Sequence, residues 1–127
     1  MKTTKQTTGL RGEAAACDFL VGEGHRILRR NWRDGHLELD IITLKDNVLH
    51  VVEVKTRTGG APVPPEFNVD HNKRRRMVQA AGDLLHSDAL GEIPCDLEVQ
   101  FDVLSVIFEE PGPRLEYYPQ AFIPIYT

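Results

Sequence analysis

The apolar positions of this chain recur with two different periods. Leu10, Ala14, Cys17 and Val21 follow helical spacing, which predicts an amphipathic helix from about Thr8 to Val21, stopped by Gly22 and Gly24. From Leu37 to Ile41 the period drops to two. Leu37, Leu39 and Ile41 then belong to one face of a strand, and Glu38 and Asp40 to the other. Val48 to Lys55 is β-branched and apolar, a second strand on which Val51, Glu53 and Lys55 share a face. Asp46-Asn47 tolerates positive φ and suits a two-residue turn between them. Counting outward from that turn sets Asp40 opposite Glu53 and Glu38 opposite Lys55.

A basic strand containing Arg30 and Arg33 precedes the hairpin. After it, Met77, Ala80, Ala81, Leu84 and Leu85 mark the apolar face of a second helix, opened by Lys73-Arg74-Arg75-Arg76 with Asp70 as candidate cap. Val99 to Ile107 alternates, and Val103–Phe108 runs nearly continuously apolar, as in a strand buried on both faces. Pro111-Gly112-Pro113 turns the chain into a short strand near Arg114–Tyr118, and 121–125 reads as a terminal cover. The predicted fold is an α/β layout, a mixed β-sheet flanked by helices in the order α-β-β-β-α-β-β. One domain spans 1–127, with 1–7 a flexible polar lead and the Gly- and Pro-rich 58–69 segment a mobile loop beside the hairpin.

The hairpin carries the candidate chemistry. Directly opposed Cβ atoms lie about 4.5–5.5 Å apart, where like charges are destabilising. Asp40 and Glu53 therefore repel unless one is protonated or a cation lies between them. A hard ion such as Mg²⁺ or Mn²⁺ takes oxygen ligands and keeps several waters, so one or two carboxylates suffice, with the Val54 carbonyl as an extra ligand. Lys55, on the face of Glu53, can orient an attacking water or neutralise charge at phosphorus. An ordinary cross-strand ion pair, Glu38 with Lys55, is the bland alternative. Acid and lysine inside an apolar strand are costly without a task, which favours the site.

Glu13 adds a third acid in the first turns of the first helix, just after glycines at 9 and 12 that suit close approach of backbone or phosphate. The formal net charge of −4 opposes strong indiscriminate binding to nucleic acid. Yet most basic residues gather in three segments: Arg26 to Arg33 with Arg30; Lys55 with Arg57; and Lys73, Arg74, Arg75 and Arg76. Four cations at a helix start oppose the macrodipole, and a phosphate backbone would offset that cost. Trp32 could stack a base, although a lone tryptophan more often belongs to a core. The two cysteines and five histidines show no paired-ligand spacing, which speaks against zinc. Cys17 reads as core. No apolar run is long enough for a membrane, and reduced thiols suit the cytoplasm.

Taken in order, five segments resemble the YraN-like uncharacterised protein family. They are Gly9-x-x-Gly12-Glu13-x-Ala15, Ile27-Leu28-x-Arg30-Asn31-Trp32-Arg33, Glu38-x-Asp40-x-Ile42, Val52-Glu53-Val54-Lys55-Thr56-Arg57 and Phe101-Asp102-Val103. That family belongs with the restriction-endonuclease-like PD-(D/E)xK fold and is similar to archaeal Holliday-junction resolvases. The resemblance runs from about Gly9 to Phe122. It implies Glu13, Asp40, Glu53 and Lys55 as catalytic residues, and Asp40, Glu53 and Glu13 (the last directly or through water) as metal ligands. Glu38 and Gln79 are implied as supporting polar residues, while Leu37 stands where the family usually has glycine. Asp102 is expected to be structural, or at most to support the site from behind its ligands.

Two functions remain open at this point. One is a Mg²⁺- or Mn²⁺-dependent endonuclease acting on structured DNA, such as branched or recombination intermediates, with RNA as a further substrate class. Junction resolution would need two active sites and hence a homodimer. The other is a non-catalytic nucleic-acid or protein binding module on the same fold.

Overall fold

The computed structural model describes residues 4–58, 71–91, 93 and 97–122. Its elements are α1 (Thr4–Gly22), β1 (Arg26–Asp34), β2 (Leu37–Lys45), β3 (Val48–Thr58), α2 (His71–Leu85), β4 (Glu98–Phe108) and β5 (Arg114–Phe122). The five strands form one sheet in the order β1-β2-β3-β4-β5. Only β3 and β4 run parallel; the other neighbours are antiparallel. A parallel pair needs a long crossover, and α2 lies within it. This is the element order and mixed sheet expected for a restriction-endonuclease-like core.

Each helix covers one face. Met77, Ala80, Ala81 and Leu84 of α2 pack on Ile42, Leu49, Val51, Phe101 and Val103. Ala16, Cys17 and Leu20 of α1 pack on Ile41, Val52, Leu104 and Val106. The burial of residues 101–107 of β4 explains its nearly unbroken apolar run: successive residues there face different helices.

The face of α1 differs from the expected stripe. Leu10 is 41% exposed and Val21 57%, while Ala16 and Leu20 are sealed. The reason is steric. A Cβ at Gly12 would collide with the Thr56 side chain of β3, so the helix lies against the sheet on its small residues, Gly12 and Ala16. Residues 4–7, read as part of a lead, are helical; a polar first turn carries no periodicity to mark it. Leu85 is 37% exposed, at the end of α2's buried stripe. β5 runs on to Phe122 and absorbs the start of the expected terminal cover. Asp70, and the 58–69 loop apart from Thr58, lie outside the described residues.

Strict alternation also fails in β2. Leu37 and Leu39 join the cluster under α2, as does Ile42, whereas Ile41 joins the cluster under α1. The two-residue period slips by one at Asp40, where the candidate site begins.

Candidate active site

The hairpin forms in the expected register. Asp46 and Asn47 take φ of 52° and 62°, as a type I′ turn requires, and pairing runs from Lys45↔Val48 to Ile41↔Val52. There the ladder stops. Beyond it β2 stays with β1 as far as Asp34↔Leu37, and β3 stays with β4 out to Thr58↔Phe108. The two strands separate, and Asp40 and Glu53 are the first residues at the opening. Asp40 Oδ2 accepts the Val54 N–H at 2.9 Å, replacing a ladder carbonyl. The N–H and C=O of one strand residue point to the same edge, so the Val54 carbonyl faces this opening too.

The two carboxyl groups form a strained electrostatic pair. Burial is the largest influence on Asp40, the charge of Glu53 adds to it, and the two groups also share a hydrogen bond. The Val54 N–H and Lys73 oppose these effects without overcoming them, and the Asp40 carboxyl is pushed up to about 8. Glu53 is only 4% exposed. Near neutrality the pair holds a proton between two acids, the arrangement a divalent cation would replace.

Two lysines converge on Glu53. Lys73 Nζ lies 2.9 Å from Glu53 Oε1, and Lys55 Nζ lies 3.7 Å from the same oxygen. Burial works against the Lys73 ammonium, but Glu53 outweighs it and holds the group above its ordinary value. The sequence reading assigns Lys73 to nucleic-acid contact; the structure puts it against the acid. One signal could have shown this. Lys73 sits one turn before Met77, in line with Met77, Ala80 and Leu84 on the buried face of α2.

The remaining candidates are dispersed. Glu13 accepts Asn31 Nδ2 at 3.0 Å, on the helix covering the other face. Among the described residues no three His, Cys, Asp or Glu side chains cluster to hold an ion, so Glu13 is not joined to Asp40 and Glu53. The Gly12 contact with Thr56 does keep it near the same end of β3. Glu38 does not reach Lys55, because the β2–β3 ladder ends before that pair. It meets its β1 partner Arg33 at 3.8 Å and, with His36, Leu37, Lys73, Arg76 and Met77, lines a cavity of about 210 Å³. Arg30, Arg33, Arg75 and Arg76 are exposed, and Arg57 and Arg74 half-buried. Gln79 is exposed on α2, away from the buried stripe. Trp32 packs against the α2-side core.

Fold and site thus define a class: a small α/β domain with a mixed five-stranded sheet and a partly buried acid pair, attended by lysines, where its central hairpin parts. The chain belongs to Uncharacterised protein family UPF0102, the YraN family, whose pattern matches residues 12–106. A UPF0102 protein of Bacteroides thetaiotaomicron is 42% identical over 117 residues, covering 91% of this chain and 92% of its own. One from Anaeromyxobacter dehalogenans is 42% identical over 118 residues, 93% of this chain and 85% of its own. No helix among the described residues is long and apolar enough to cross a membrane.

Proposed function

We propose that the protein is a divalent-metal-dependent nuclease hydrolysing phosphodiester bonds of structured DNA, with branched or recombination intermediates as its substrates. One observation carries this reading: the half-buried Asp40 and the buried Glu53 face each other at the parting of β2 and β3 with no donor that fully offsets their repulsion. The donor set suits a hard cation, since two carboxylates and a strand carbonyl are all oxygen. Asp40, Glu53 and the Val54 carbonyl are the residues that would hold Mg²⁺ or Mn²⁺, with Glu13 acting through water from the α1 side. The ion would supply Lewis-acid polarisation of the phosphodiester.

The chain's own residues do the rest. Lys55 orients the attacking water and neutralises charge gathering on the phosphoryl oxygens as the P–O bond to the leaving oxygen breaks. Lys73 balances Glu53 until substrate and ion arrive, then turns to the phosphate backbone. Arg76 and His36 line the adjoining cavity and seat a neighbouring phosphate. Junction substrates imply a homodimer, and we place the protein in the cytoplasm.

Labelled single-strand, duplex, flap and four-way-junction DNA, with matching RNA, incubated with Mg²⁺ or Mn²⁺, tests the activity. Asp40→Asn, Glu53→Gln and Lys55→Ala each lower cleavage by about 10²-fold or more while leaving substrate binding nearly intact. Undiminished cleavage by a highly purified Asp40→Asn/Glu53→Gln double variant sinks the proposal.

A binding module without turnover has one observation in its favour: Lys73 already neutralises Glu53 and Asn31 engages Glu13. Calorimetric titration with Mn²⁺ separates the two readings. Heat that disappears in Glu53→Gln supports the nuclease, and no heat at millimolar ion supports the module.

A further inference from the structure

A second polar centre lies on the α1 face of the sheet, toward the β2–β3 turn. Asp102 of β4 is completely buried. Its Oδ1 accepts Gln100 Nε2 at 2.9 Å and the Gln120 N–H at 3.0 Å; its Oδ2 accepts the Tyr117 hydroxyl and bonds His50 Nδ1 at 2.7 Å. These donors outweigh the effect of burial and hold the carboxyl below its ordinary value. An ionised carboxylate is acceptor only, so His50 Nδ1 carries the proton. In neutral His50 the lone pair is therefore on Nε2.

His25 is held through the same ring nitrogen. Its Nδ1 lies 2.6 Å from the buried Thr43 hydroxyl. Residues 25 and 50 are 5% and 7% exposed, and their ring centroids stand 4.5 Å apart with planes at 61°. Both rings line a cavity of about 300 Å³ together with Lys45, Asp46, Gln100 and Tyr117. Among the described residues the hydrogen bonds of both rings run through Nδ1, not Nε2. Burial, then His50 and Lys45, hold His25 below its ordinary value, so the ring is neutral at neutral pH.

The geometry points to a site for one borderline divalent transition-metal ion, of the Cu²⁺, Ni²⁺ or Zn²⁺ class, bound by Nε2 of His25 and Nε2 of His50 with water completing the shell. Imidazole suits these metals, and a ligating histidine typically donates its other nitrogen to a carboxylate, as His50 does to Asp102. Two imidazoles sharing a tetrahedral ion place their centroids about 5 Å apart, given a Zn–N bond of about 2.0–2.1 Å. The observed centroid spacing is slightly shorter than that. Lys45 opposes a cation here, but Asp102 and Glu23 act on His25 with the opposite sign, and Asp46 lines the cavity. Those acids also disfavour an anion. Sequence spacing gave no sign of the pair, because His25 follows α1 and His50 lies inside β3. The site does not depend on the nuclease reading.

Titrating the full chain with Zn²⁺ at neutral pH while recording imidazole ¹⁵N resonances tests it without mutation. Nε2 of His25 and His50 should shift together and saturate at one equivalent, ahead of the exposed His36, His71 and His86. His25→Gln and His50→Gln should each weaken binding at least tenfold, Glu53→Gln should leave it unchanged, and Cu²⁺ should bind more tightly than Zn²⁺. Shifts confined to the exposed histidines overturn the proposal. So does Zn²⁺ affinity in His50→Gln equal to that of the parent, or a response of the pair to inorganic phosphate and not to metal.

Discussion

Asp40 and Asp102 are the same residue type on neighbouring regions of one sheet, the first half-buried and the second fully buried, and they are driven in opposite directions. Burial raises both. Asp102 meets four donors, from His50, Tyr117, Gln100 and the Gln120 backbone, and is held as a carboxylate. Asp40 meets one backbone donor and a second acid, and is held as a carboxylic acid up to about 8. The number and sign of immediate neighbours, more than depth, separate an acid that fastens the fold from one kept in a costly state.

Substitution can break this contrast most severely at Asp102. Asp102→Asn replaces one of two acceptor oxygens by an NH2 group, which then faces either the donors His50 and Tyr117 or the donors Gln100 and Gln120, and should cost about 3 kcal/mol in urea unfolding. A loss under about 1 kcal/mol would show that the network is not needed for folding. Asp40→Asn should act with the opposite sign. Without divalent ion at neutral pH it removes the cost of keeping that carboxyl protonated and stabilises the chain by on the order of 2 kcal/mol. Destabilisation instead would mean that Asp40 is already content in the apo protein.

The pH dependence sharpens the same difference. A folded-state value near 8, against 3.8 for an ordinary aspartate, makes the folded protein bind more protons between those limits, so the Asp40 contribution falls as pH rises through that window. Excess Mg²⁺ should flatten this fall, as read from melting temperature against pH. Asp102 behaves conversely: its contribution is present above 3.8 and is lost as pH drops through its lowered folded value. His25 reinforces the acid-side loss, since its ring must charge below its ordinary 6.5 in the unfolded chain first. The smallest effect belongs to the exposed Arg33–Glu38 pair. Arg33→Ala should change stability by no more than about 0.5 kcal/mol.

The local half of this molecule was readable from its residues. Asp46-Asn47 selects a two-residue turn, a two-residue turn sets the register, and the register brings Asp40 to Glu53. The β2 face assignment was not readable, because nothing local reveals that β2 and β3 part after Ile41 and Val52 and shift the alternation at Asp40. On α1 the largest apolar residues drew the expected stripe, yet close approach at Gly12 chose the small-residue side. The Asp102 network was invisible for a different reason. It needs the parallel β3–β4 pairing, His50↔Gln100, and the β5 irregularity that brings Gln120 to Asp102, contacts between segments far apart in the chain.

The hydrogen bond from the Val54 amide to Asp40 turns one backbone proton into a built-in probe. Its resonance senses whether a carboxylate or a carboxylic acid sits across from it. A single amide cross-peak, followed while acid, metal ion or DNA is added, would therefore register each event at the opening without any label placed there.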